Sequence, residues 1–247
     1  MSRWKASAIH LSISAAIGLV AAALIFGVWY PSPYGKAAGA TELVLLLLGV
    51  DVVLGPLLTL IVFKTGKKSL RFDLSVIAVL QACAFLYGMS VVTRARPAFI
   101  VAAVDRFVLV SANDLDPADL AQGSAPEFRS LSWTGPKVVG AVLPTSGQER
   151  NDLLFSGMAG KDVEKFPKHY VPYADIASAM LKAAHPLATL HAKHPEAGPP
   201  LEAWLRQTGR EADRVVWLPL TSRRADLTVL LDPADGTVLD ALPIDPW

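Results

Sequence analysis

The first hundred residues alternate between long apolar runs and short polar breaks, and the rest of the chain does not. Apolar runs cover about residues 8–30, 41–63 and 74–93. A run of roughly 20 apolar residues crosses a ~30 Å hydrocarbon core as a helix, so each predicts a transmembrane span. The first run follows Arg3 and Lys5, as a secretory signal would. It is too long for a signal's apolar core, however, and ends at Trp29-Tyr30 instead of a small-residue cleavage site. It therefore reads as a retained anchor. From Pro97 onward the pattern changes. Residues 98–111, 137–143, 214–220, 227–232 and 237–242 predict strands, the first being one long strand or two joined at Asp105-Arg106. Residues 149–166 in part, 173–184 and 200–207 carry helical spacing, with Pro186 stopping the second of these. Pro233-Ala234-Asp235-Gly236 joins the last two strands, and Gly236 there supplies a positive φ. The expected fold is an α-helical membrane region of three transmembrane helices over residues 1–96, then an α+β domain over residues 97–247.

Charge orients this arrangement. The loop between the second and third runs, KTGKKSLRFD, holds Lys64, Lys67, Lys68 and Arg71, and positive residues in short loops favour the cytoplasmic side. The N-terminus and residues 64–73 are then inside, and the 31–40 loop and everything after Thr93 are outside. Arg94 and Arg96 oppose this weakly, being two charges against four. In a bacterium the α+β domain is then periplasmic and the chain is a multi-pass inner-membrane protein. Trp29, Tyr30 and Tyr34 fit an aromatic belt at the outer interface.

Composition narrows the function classes. Of 247 residues 52% are apolar and 18% charged, against roughly 25% charged in a soluble domain. Residues 1–96 hold 9 Lys+Arg and 3 Asp+Glu, and the remainder holds 14 and 19. The basic excess therefore sits between the apolar runs, and no basic domain exists to grip nucleic acid. Cys83 is the one cysteine, which excludes an internal disulfide and any zinc site needing two thiolates. His185, His191 and His194 lie close in sequence, but Pro186 and Pro195 break the segment and the spacing is wider than in zinc motifs. They read as surface histidines. No nucleophile elbow, phosphate loop or H-E-x-x-H is present, so no catalytic residue, metal or cofactor is assigned. Asp105-Arg106 reads as a strand-edge salt bridge, and Phe155, Met158 and Phe166 as core residues.

The spans themselves carry polar groups. Asp51 lies near mid-membrane, where an ionisable side chain costs roughly 2.5–3.5 kcal/mol on insertion scales. Gly55-Pro56 follows, and Pro56 removes a backbone donor, kinking the helix and freeing a carbonyl near Val52. Gly49 and Gly55 leave the backbone open to close approach. At about 1.5 Å rise per residue, Gln81 of the third span falls within one helical turn of Asp51 in depth. Two readings follow. Asp51 and Gln81 glue the three helices together, or Asp51, Gly55, Pro56 and Gln81 form a docking groove for another protein's membrane helix. A carrier role is disfavoured, because three spans with one acid offer no inverted repeat.

The segment WYPSPYGKAAGATELVLLLLGVDVVLGPLLTLIVFKTGKKSLRFDLSVIAVLQ resembles the type IV pilin accessory proteins of the TfpX/TfpZ family. The likeness continues through YGMSVVTRARPAFIVAAVDRFVLVSANDL and returns at LTVLLDPADGTVLDALPIDPW, with GVDVVLGPLLT its most specific part. The resemblance implies an inner-membrane chaperone whose partners are a type IV pilin subunit and the lipid bilayer. It implies no catalytic residue. The competing reading is a membrane-bound pilin-modifying enzyme, a glycosyl or phospho-group transferase. That reading requires clustered acids, histidines or basic residues at the outer membrane surface, and the sequence shows none. The topology makes a direct prediction: a reporter active only in the periplasm, fused after Trp247, is active. An expressed but inactive fusion contradicts it.

Overall fold

The computed structural model describes residues 1–194 and 197–247, with residues 191–193 described by their backbone alone. Among the described residues three helices are long and apolar enough to cross a membrane, Arg3–Trp29, Ala40–Val62 and Leu70–Ala95. The first and third begin four to five residues before the apolar runs that announce them. Hydropathy marks the part of a helix that suits lipid, and the helical backbone continues through the charged residues at its end. Ser2 caps the first span, its hydroxyl accepting from the Lys5 amide at 3.2 Å. Gly39, at φ +81°, turns the chain into the second. The third stops where Arg96, extended ahead of Pro97, leaves helical geometry.

The second span is central. The first packs antiparallel along it, and the third packs along its other side. The first presents a small-residue stripe, Ala6, Ser14, Gly18 and Ala21, all buried, and a Cβ at Gly18 would meet Leu48 Cδ2 at 2.7 Å. Small residues let helix backbones approach in lipid, where no hydrophobic effect drives association.

Beyond the spans lies a mixed sheet. Its strands are β1 (Pro97–Ala103), β2 (Arg106–Ser111), β3 (Lys137–Ala141), β4 (Tyr170–Pro172), β5 (His185–Pro186), β6 (Val216–Thr221), β7 (Leu227–Leu231) and β8 (Val238–Leu242). The order is β4-β3-β1-β2-β6-β7-β8, with β5 also paired to β6. The 98–111 stretch is thus two strands, turning at Val104-Asp105, one residue before the expected joint. Asp105 and Arg106 form the expected salt bridge, 2.8 Å from Oδ1 to Nε. β6 pairs with β5 through Val216 and Trp217, and with β2 through Leu220 and Thr221. Pro219, which has no amide hydrogen, lies between these two pairings, where no neighbour on that side needs a donor. β4, β5 and the helix Leu187–Lys193 were not foreseen. They are short or proline-flanked, and they owe their existence to the strand beside them. Trp217 Nε1, for example, donates to the Pro186 carbonyl at 3.2 Å and to Thr189 Oγ1 at 3.1 Å.

The strands alternate faces with period two. Ile100, Phe107, Leu109, Leu218, Leu220 and Val229 all point to the face that receives the span ends, joining one buried cluster with Ile25, Trp29, Tyr30, Ala37, Val44 and Val92. Tyr173, Ile176 and Met180 cover part of the same face. Polar contacts lock the joint. Tyr30 Oη donates to the Val92 carbonyl at 2.7 Å, and the Ala37 carbonyl accepts from the Arg224 amide at 3.1 Å and Ser222 Oγ at 3.0 Å. Arg96, 5% exposed, lies 4.6 Å from the Trp133 ring centroid and donates to the carbonyls of Thr93 and Ser132. Trp29 and Tyr30 are therefore buried in the joint instead of facing lipid as an aromatic belt. The opposite face carries two further clusters, one around Phe99, Val101 and Tyr170 and one around Leu190, Trp204 and Leu230.

This shared core predicts that residues 97–247 expressed without the spans expose the receiving face and aggregate in size-exclusion chromatography. A monodisperse fragment that unfolds cooperatively contradicts the assignment.

Candidate functional site

The four residues singled out in the spans come together. Val50–Leu54 forms a π turn inside the second span, and Asp51 is buried there at 9% exposure. Gly55 and Pro56 are buried on the same inner side. Gln81 crosses from the third span and lies over Gly55 so closely that a Cβ at residue 55 would run into its side-chain amide. Gln81 Nε2 donates to the Asp51 backbone carbonyl at 3.0 Å. The freed carbonyl is thus that of Asp51 and not of Val52. In π geometry a carbonyl pairs five residues ahead, and five residues after Asp51 stands Pro56, which has no amide hydrogen. The π turn moves the orphan acceptor back by one residue, and Gln81 takes it up.

Two acceptors remain. Asp51 Oδ1 and Gln81 Oε1 are both buried and have no hydrogen-bond partner among the described residues. A buried unsatisfied polar group costs about 1–3 kcal/mol. Farther toward the sheet-remote end the polar seam continues, fully paired. Ser7 Oγ donates to the Pro56 carbonyl at 2.8 Å, and His10 Nδ1 lies 2.6 Å from Thr59 Oγ1. Ser7, His10 and Thr59 escaped the sequence reading. Their signal was available: His10, Ser14 and Gly18 recur every four residues on one helix face. Gly49 faces open space on the outer side of the second span and takes no part.

The sheet region has its own concave surface. The β1–β2 turn and the helix Gly147–Met158 border an open groove of about 1050 Å³, lined in part by Val104, Leu143, Arg150, Leu154, Met158 and Glu164. Phe155 and Met158 are 68% and 78% exposed, correcting their reading as core residues. The helix buries Leu153 alone, so its other apolar side chains project outward. Phe166 does pack against the core. Val104 holds φ +58°, a left-handed conformation costly for a β-branched residue, and it sits at the groove's rim. Burial raises the Glu164 carboxyl above the ordinary carboxylate range. Of the histidine cluster, His185 packs against Trp217, their ring centroids 5.1 Å apart and their planes inclined by 44°. The His191 side chain and Pro195 lie outside the described residues.

The sequence model of the fimbrial assembly protein FimB matches residues 1–39, which are the first span and the loop docked on the sheet. The serogroup I fimbrial assembly protein of Dichelobacter nodosus is 34% identical over 248 residues, spanning 98% of this chain and 95% of that one. The serogroup E1 protein of the same organism is 33% identical over the same shares of both chains. The chain belongs to the fimbrial assembly protein family. That makes it a type IV pilus accessory protein with a role in pilus assembly, as the TfpX/TfpZ resemblance implied. A shorter family member, for serogroups C1 and C2, is 40% identical over 120 residues, 48% of this chain and 92% of its own. No solved structure matches.

The Gly55–Gln81 contact is testable within this family member. Gly55→Ala forces overpacking, which costs about 1–3 kcal/mol, and lowers the Tm in detergent. Gln81→Ala alone also lowers the Tm, because it leaves the Asp51 carbonyl without a donor, and the double variant loses less than the sum of the two single losses. An unchanged Tm for Gly55→Ala contradicts the packing described.

Proposed function

We propose that the chain is a non-enzymatic inner-membrane chaperone that binds and stabilises one type IV pilin subunit before pilus assembly. The observation that carries this reading is the core shared by the span ends and the sheet. It holds a lipid-embedded surface and an extramembrane surface in fixed relation. A pilin has an apolar membrane helix and a globular head outside the membrane, so both parts meet their surfaces at once. Two weak contacts joined in this way act as one stronger contact through effective concentration. Residues 1–96 and 97–247 then serve as the helix-binding and head-binding regions.

In the membrane, Asp51, Gly55, Pro56 and Gln81 are the docking point. The first and third spans flank the second without packing extensively on each other, which leaves a side open for an incoming helix. Asp51 Oδ1 and Gln81 Oε1 provide acceptors for a donor on that helix. A protonated Asp51 also donates, so an acidic partner is accommodated without repulsion. Outside the membrane, the groove between the β1–β2 turn and Gly147–Met158 reads the head. Its exposed Leu154 and Met158 provide apolar contact. Two of the relatives are named for a single serogroup each and one for a pair of serogroups, which supports an assembly protein matched to a narrow set of fimbriae. The basic end of the spans, with Lys64, Lys67, Lys68 and Arg71, supports a cytoplasmic N-terminus and a periplasmic sheet.

The test is affinity purification of the full chain from its native membrane. It is expected to bring down a pilin whose mass is unaltered by the association. A pilin that acquires a covalent group only when this chain is present overturns the non-enzymatic assignment. At matched expression, Asp51→Asn retains most pilin crosslinking and Asp51→Leu loses it. Equal capture by Asp51→Leu reduces Asp51 to helix glue.

A further inference from the structure

At the end of the spans remote from the sheet, the chain forms a second concave site unrelated to the pilin reading. Ser2, Arg3 and Trp4, at the start of the first span, face Ile61 in the last turn of the second span and Phe63, Lys64 and Thr65 just after it, across a cleft of about 530 Å³. The cleft is built and not merely lined. Thr65 Oγ1 donates to the Met1 carbonyl at 3.0 Å, tying the two segments together, and Ser2 caps the helix that carries Arg3. Arg3 and Lys64 enter no ion pair among the described residues. The acid at this end, Asp73, is engaged by Lys67 at 2.6 Å and by Ser69 Oγ at 3.1 Å. Lys5, Lys68 and Arg71 add further positive charge nearby in the chain.

We propose that this cleft binds the phosphate headgroup of an anionic phospholipid, with Arg3 and Lys64 as its two cationic contacts. A guanidinium presents paired donors to phosphate oxygens, and an ammonium adds a point charge beside them. The walls favour a lipid over a soluble phosphate. Trp4 and Ile61 are 71% and 69% exposed, and they extend the cleft onto the lipid-facing surface of the spans. Acyl chains lie against that surface as soon as the phosphate is in place, whereas a free anion gains nothing from it. Exposed tryptophan is characteristic of the headgroup level, and basic pockets between spans are a known form of lipid recognition. The bound lipid bridges the first and second spans at the end the sheet does not reach. It fastens there what the joint fastens at the other end.

The experiment uses the full chain in mild detergent, titrated with phosphatidylglycerol or phosphatidylcholine and read by native mass spectrometry. Phosphatidylglycerol is expected to be retained preferentially. Each cation at a membrane surface contributes about fivefold to affinity, so Arg3→Gln with Lys64→Gln weakens retention about 25-fold. Lys68→Gln with Arg71→Gln removes the same charge outside the cleft, where solvent and salt screen it, and weakens retention several-fold less. Equal loss in the two double variants overturns the proposal in favour of diffuse charge. Displacement of the lipid by millimolar inorganic phosphate overturns it in favour of a soluble anion. A measurement that leaves both cations in place guards against misfolding. Brominated phosphatidylglycerol quenches the fluorescence that Trp4→Phe removes, and brominated phosphatidylcholine does not. Equal quenching by the two lipids contradicts the site.

Discussion

One sheet face seated on the ends of three helices governs the rest of this molecule. β1, β2, β6 and β7 each place alternate residues on that face, and the cluster they form continues into Ile25, Trp29 and Tyr30 of the first span and Val92 of the third. The hydrogen bond from Tyr30 to the Val92 carbonyl ties those two spans across the joint, a contribution of about 1 kcal/mol for a typical bond. The third span passes into β1 through the single residue Arg96, so the sheet cannot swing freely on a linker. A loop that would otherwise be a simple connection, residues 31–40, becomes part of the sheet's own structure through the Ala37 carbonyl. The membrane region and the sheet are separate in composition and continuous in packing.

Within the spans, the absence of water imposes the second constraint. Every backbone group there must find a partner in the chain, and a proline in mid-span necessarily leaves one without. The structure answers with a π turn and with Gln81, and Gly55 exists so that Gln81 can reach. That much is structural economy. The remaining acceptors on Asp51 and Gln81 have no such explanation within the chain, and they are what distinguishes this seam from the fully paired Ser7–Pro56 and His10–Thr59 contacts below it.

The membrane architecture was legible from sequence because a span is a local property: length and apolar composition suffice. The gathering of Asp51, Gly55, Pro56 and Gln81 was legible too, since antiparallel spans of known rise place residues at computable depths. What escaped was non-local. The π turn depends on where Pro56 falls relative to its neighbours' carbonyls, and the sequence reading therefore put the free carbonyl at Val52. β4 and β5 are too short to carry a pattern and exist through their partners. Trp29 and Tyr30 have the composition of an interfacial belt, and only the docked sheet turns them into core. Phe155 and Met158 failed the opposite way. Apolar character predicted burial, but no element packs over that side of their helix, and the surface so exposed is the one assigned to the pilin head.

The central claim is that one client touches this protein simultaneously in lipid and outside it. Photo-crosslinking residues placed singly at Ala84, one turn from Gln81 on the third span, and at Met158 beside the groove test it most directly in intact cells. The account predicts that the same pilin is captured from both positions. Capture of pilin from neither position, or from one alone, contradicts it.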